Sequence, residues 1–72
     1  MRKKTRVRRF QNVKEGDLVY CTNYGDGIVT YIERDLVVFY PIEVEFENGY
    51  CDYDADGCCA DTEERTLNYR TN

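Results

Sequence analysis

Asp52, Asp54 and Asp56 alternate ahead of Gly57, and Glu63 follows after five more residues. This spacing fits D-x-D-x-D-G-x-x-x-x-x-E, a loop whose oxygens wrap a calcium ion while the glycine makes the bend. In such a loop Asp52, Asp54 and Asp56 supply side-chain oxygens, Cys58 a backbone carbonyl, and Glu63 a bidentate carboxylate. The same residues admit a second reading, as outward-facing acids of a strand that ends in an Asp-Gly turn. Context favours the second, because a calcium loop of this kind leaves one helix and enters another, whereas the residues before Asp52 read as a strand.

Cys21, Cys51, Cys58 and Cys59 are the other groups able to ligate or react. No C-x-x-C spacing occurs, neighbours Cys58 and Cys59 are poorly placed to face one ion, and the chain has no histidine. The expectation is therefore thiols that are buried or idle in a reducing compartment, rather than a zinc site or a structural disulfide. Lack of histidine also removes the side chain that most often transfers protons near neutral pH. Clustered acids in a turn have no pocket to shift their proton affinity, so the chain reads as no enzyme and as needing no cofactor beyond the calcium alternative.

Seven tyrosines in a chain without tryptophan are too many for a small core that must also satisfy their hydroxyls. Some must lie at a rim, an oligomer interface or a partner contact. Tyr24 in a glycine loop, Tyr40 beside Pro41, and Tyr53 are the candidate contact residues, with Asp54 and Asp56 as their acidic neighbours. A flat tyrosine face can stack on a base, a guanidinium or a methylated amine, and the cations suit an acidic surface best.

The elements that must hold these groups read as short strands. Ile42 to Glu47 alternates strictly, with Ile42, Val44 and Phe46 on one face and three glutamates on the other. Asn48-Gly49 follows as a type I′ turn, and Tyr50 to Asp54 runs back as the hairpin partner. Asp17 to Thr22 and Gly27 to Glu33 are β-branched and aromatic, and a turn cluster separates them, in which Gly25 and Gly27 permit a tight reversal or a bulge. Leu36 to Tyr40 extends or joins these strands before Pro41, and Thr66 to Tyr69 offers a short closing strand. No segment carries a helical period. About five short antiparallel strands in an all-β chain are most economically satisfied by a small curved barrel, because closure removes exposed edges.

Lys14-Glu15-Gly16-Asp17-Leu18-Val19, Tyr24-Gly25-Asp26-Gly27-Ile28-Val29 and Val44-Glu45-Phe46-Glu47-Asn48-Gly49 follow one another in this order. The series resembles the G-D-x-V, [FY]-G-x-G-x-V, V-x-F-x-N-G pattern of bacterial SH3-like and Tudor-like barrels, found in the transcription-coupling CarD family and at the ends of some DNA-repair helicases. It is more similar still to small bacteriophage proteins, which add Tyr-Pro before the third strand and Tyr-x-x-Asp-Gly after the hairpin. Here these are Tyr40-Pro41 and Tyr53-Asp54-Ala55-Asp56-Gly57. The resemblance implies an SH3-like barrel over residues 14 to 72. It further implies a binding module that inhibits or redirects host defence or gene expression, through a host protein or a captured nucleotide signal. The CarD and helicase comparison implies instead a nucleic-acid or RNA-polymerase adaptor.

Charge bears on that choice. Residues 1 to 13 form a basic arm with Arg2, Lys3, Lys4, Arg6, Arg8 and Arg9, the side chains that would carry nucleic-acid binding by releasing counterions. Residues 15 to 72 hold three basic and fourteen acidic groups, a net charge of −11 that repels a phosphate backbone. The arm reads as a solvated tail or one folded back on the chain's own acidic body, as a phosphate-binding segment, or as a strap onto the acidic face of a second copy. No run of 18 apolar residues is present and no apolar stretch follows the basic start, so the expectation is a cytoplasmic protein with no membrane contact. In a core this small, a ligand or homo-oligomer would add to stability.

Overall fold

The computed structural model describes residues 9–35 and 37–70. Five strands, β1 (Leu18–Cys21), β2 (Gly25–Ile32), β3 (Ile42–Phe46), β4 (Gly49–Tyr53) and β5 (Leu67–Tyr69), form one antiparallel sheet in the order β4-β3-β2-β1-β5. The chain is all-β, as its alternation demands, and no helix occurs among the described residues. Alternation along β3 buries Ile42, Val44 and Phe46 and turns Glu43 and Glu45 outward. β4 answers in register, with Val44 opposite Cys51 and Ile42 opposite Tyr53.

In β2 the alternation breaks. Register slips between Val29 and Tyr31, which makes Thr30 an extra residue bulged out of the ladder with β3. Its hydroxyl donates to the Glu43 carbonyl and carboxylate at 3.3 and 3.1 Å. The consequence is a change of phase: Val29 pairs with Val44 and Ile32 with Ile42, so both face the core although they are three residues apart.

β4 and β5, the two edges, are tied to one segment. Tyr53 bridges Cys59, and the Gly57 carbonyl accepts from the amides of Thr66 and Leu67, both at 3.1 Å. Gly57 has φ +89, and a β-carbon there would sit 2.9 Å from both the Leu67 carbonyl oxygen and Phe10, so neither backbone nor space admits a side chain. This segment covers both edges of the sheet.

Three sequence expectations change. Leu36 itself lies outside the described residues, and Val37 to Tyr40 form a looped connection rather than a strand. The hairpin reverses at Glu47-Asn48, because Phe46 pairs directly with Gly49, so the turn lies one residue earlier than Asn48-Gly49. Neither Glu47 nor Asn48 has positive φ, which excludes type I′ geometry. Gly27 serves packing rather than reversal: it sits within β2 opposite Phe46, whose ring lies over the space a side chain would fill.

The core comprises Val19, Cys21, Val29, Ile42, Val44, Phe46, Cys51, Tyr53, Cys59 and Leu67, joined by Phe10. Phe10 comes from the segment read as the arm. Its amide donates to the Ala55 carbonyl at 2.8 Å and its ring lies 4.6 Å from Tyr69, so the packed unit begins before residue 14.

Candidate functional site

The acidic loop follows its turn chemistry. Oδ1 of Asp54 accepts from the amides of Asp56 and Cys58, both at 2.9 Å, and the Gly57 amide donates to the Asp54 carbonyl at 3.0 Å. Backbone donors thus engage the oxygen that a calcium loop would offer to the ion. Asp56 is buried, while Asp52 stands opposite Glu43 on the outer face of the sheet. Burial pushes the Asp52 carboxyl up, with Glu43 and Asp61 adding to it. Glu63 is exposed, with φ 61. Asp52, Asp54, Asp56 and Glu63 do not gather their oxygens into one ligand set among the described residues.

Of the tyrosines, Tyr20, Tyr24, Tyr31, Tyr50 and Tyr69 are exposed and Tyr40 is half-buried. Tyr53, expected as a contact residue, is fully buried, because it is an inward position of β4. Tyr24 and Tyr50 belong to a cleft of about 280 Å³ shared with Asn23, Phe46, Asn48 and Gly49. The ring of Tyr24 lies 5.4 Å from that of Phe46. Two turns therefore bring together flat apolar surfaces and two carboxamides, which can orient a planar group between them. Tyr50 and the carboxamides were not legible as site residues, since only tertiary structure sets the Glu47-Asn48 reversal beside Tyr24.

Around the cleft the surface is acidic. On the outer face Tyr50 stands opposite Glu45, Glu45 opposite Ile28, and Ile28 opposite Leu18. Leu18, Tyr20, Ile28 and Tyr50 are exposed, and acids alternate among them. Arg70 approaches Asp26 at 3.6 Å, an exposed pair worth little to stability. Of the proposed nucleic-acid residues, Arg9 is exposed with its guanidinium 6.0 Å from the Phe10 ring centroid. Arg2, Lys3, Lys4, Arg6 and Arg8 lie outside the described residues.

Beneath the Tyr24 edge lies a thiol cluster that sequence spacing did not reveal. Cys51 points inward from β4, and the bridge from Tyr53 to Cys59 carries the second thiol to it, leaving the sulfurs 3.1 Å apart. The sulfur of Cys51 is 3.8 Å from Oδ2 of Asp61, and that oxygen accepts from the Tyr24 hydroxyl at 3.2 Å. Burial raises the Cys51 thiol to about 12, with Cys59 and Asp61 adding to it. The hydrogen bond to Asp61 raises Tyr24 to about 12 as well. Cys21 also neighbours Tyr53, and its thiol donates to the Thr66 hydroxyl at 3.4 Å. Burial pushes that thiol up, but the Thr66 hydroxyl, the neighbouring Tyr53 hydroxyl and nearby amides bring it below its ordinary value. As adjacent residues should, Cys58 and Cys59 diverge, Cys58 remaining half-exposed. The partner of Cys59 is Cys51, eight residues upstream, a spacing that no metal motif signals.

No helix of the described residues is long and apolar enough to cross a membrane. In comparisons with known proteins, no family model, no curated protein and no solved structure matches this chain.

Proposed function

We propose that this chain is a non-catalytic SH3-like binding module of bacteriophage origin that acts in the host cytoplasm, where it inhibits or redirects a host component by binding a basic protein surface. The observation that carries this reading is the Tyr24–Tyr50 cleft, set in an acidic and aromatic face. A guanidinium fits such a site twice over: its plane stacks on tyrosine rings, and its charge is drawn by the net −11 that residues 15 to 72 carry. The strand order β4-β3-β2-β1-β5, with both edges tied to the segment before β5, supports the SH3-like comparison. The Asn23 and Asn48 carboxamides favour a second reading, capture of a nucleotide signal by its base.

Native mass spectrometry of the full chain purified from its host, beside a Tyr24→Ala/Tyr50→Ala variant, tests the proposal. A protein partner that is lost in the variant and weakens as salt rises is the expected result. A nucleotide-sized mass lost in the variant moves the assignment to the second reading. A chain that carries nothing, or a partner retained by the variant, overturns both.

A further inference from the structure

We propose that Cys51, Cys59 and Asp61 form a binding site for one thiophilic divalent cation of the zinc class. Among the described residues, these are the three side chains whose sulfur and carboxylate atoms all lie within 4.8 Å of one another. A tetrahedral ion with Zn–S bonds of about 2.3 Å and a Zn–O bond of about 2.0 Å needs S···S and S···O separations of roughly 3.8 and 3.5 Å. The structure has 3.1 Å between the sulfurs and 3.8 Å from Cys51 to Asp61. Cys59 and Asp61 lie within 4.8 Å of one another, so the sulfurs must part and the carboxylate draw in to create the shell, and water supplies the fourth ligand.

An independent observation points to the charged, ligating form of these thiols. The Tyr53 hydroxyl is fully buried and makes no hydrogen bond of normal geometry, while the Cys21 and Cys51 thiols are its polar neighbours. A neutral thiol is a weak acceptor, so the hydroxyl is left with its desolvation cost unmet. A metal-bound thiolate is a strong acceptor, and binding the ion gives Tyr53 a partner. Tyr24 acts from the other side, since its hydroxyl already holds Oδ2 of Asp61 and so orients the third ligand. Two thiolates select a borderline or soft ion over calcium or magnesium. On binding, each of Cys51 and Cys59 forms a metal–sulfur bond and releases its thiol proton to solvent, two protons per ion. The site adjoins the cleft that carries the binding proposal and shares Tyr24 with it, but none of its three ligands lines the cleft, and either assignment stands without the other.

The test is an anaerobic titration of the reduced full chain with cobalt(II), followed by displacement with zinc. One ion per chain, sulfur-to-cobalt charge-transfer bands and tetrahedral visible bands are expected, with two protons released. Cys58→Ser, at a half-exposed position outside the cluster, keeps all of these, and Cys51→Ser or Cys59→Ser loses the two-thiolate spectrum. Asp61→Asn, at an exposed position that leaves folding intact, weakens binding by roughly 10-fold or more. Tyr53→Phe also weakens binding, while the metal-free protein is at least as resistant to urea, a pairing that a purely structural role for the hydroxyl does not give. Reduced protein with no thiolate bands would overturn the site, as would bands that vanish in Cys58→Ser or affinity indifferent to Asp61→Asn. Formation of a Cys51–Cys59 disulfide on oxidation, in a chain whose reduced form ignores cobalt, would replace the metal site by a redox pair.

Discussion

A β-carbon built on Gly27 would fall 2.6 Å from Cε1 of Phe46 and 2.7 Å from Cγ1 of Val44, and both of those side chains belong to the buried core. Phe46 is fixed in turn by the rings of Tyr24 and Tyr53, so it cannot swing aside without disturbing the cleft floor. Gly27→Ala is therefore an overpacking change, expected to cost about 1–3 kcal/mol in urea unfolding and to weaken binding at the Tyr24–Tyr50 cleft. An unchanged midpoint with unchanged binding would show that Phe46 has room to move. The sequence flags Gly27 as a glycine in a turn cluster, but its reason for being one is a ring that arrives from 19 residues downstream. Asp54 is the opposite case. Its place before Asp56-Gly57 makes a turn legible, and Oδ1 does cap the amides of that turn. Asp61 carried no signal at all, since it matters only through where Cys51 and Tyr24 come to lie.

Strict alternation made β3 and its pairing with β4 readable, because with a period of two a shift by one residue would turn Ile42, Val44 and Phe46 out to water. The connection from β2 to β3 departs from its strand-like sequence for an equally local reason. Val37, Val38 and Phe39 have strand-forming side chains, yet carboxylates before them take the backbone donors a ladder would use. The Asp35 amide donates to Glu33, the Val37 amide to Oδ1 of Asp35, and the Val38 amide to the Asp35 carbonyl. The loop is closed at its base by the Glu33 amide on the Pro41 carbonyl at 2.8 Å. Val37 and Phe39 are left 77% and 84% exposed, outside the core. A Val37→Ser/Phe39→Ser variant is accordingly expected to unfold within about 0.5 kcal/mol of the parent chain, where the same changes in a strand of the core would cost several. Loss of more than 2 kcal/mol by chemical denaturation would place these residues in the packed unit after all.

At the scale of the whole molecule, a core built largely of strands and sulfur encloses a phenol, and this makes the fold sensitive to alkali rather than only to acid. Burial drives the Tyr53 hydroxyl far above its ordinary value of 10.0, with Cys21 and Cys51 beside it contributing. Burial also raises Tyr69, which packs on Phe10, and Cys51, the latter to about 12 from an ordinary 9.0. In each case the folded chain holds its proton at a pH where the unfolded chain has released it. The unfolded state then binds fewer protons, so the stability these groups contribute is whole below their unfolded values and is lost as pH climbs through and beyond them. The window opens near pH 9 for Cys51 and near pH 10 for the tyrosines. Within it the fully buried Tyr53 alone steepens the fall by up to ~1.4 kcal/mol per pH unit. The expected urea midpoint is level from pH 7 to pH 9 and drops steeply above pH 10. Phenolate absorbance of Tyr53 develops only with unfolding. Tyr53→Phe removes the proton in question and should flatten the fall above pH 10 while leaving the midpoint at pH 7 no lower. A variant that falls as steeply as the parent would mean that the buried hydroxyl is not what alkali attacks, and that repulsion among the acids of the body governs the limit instead.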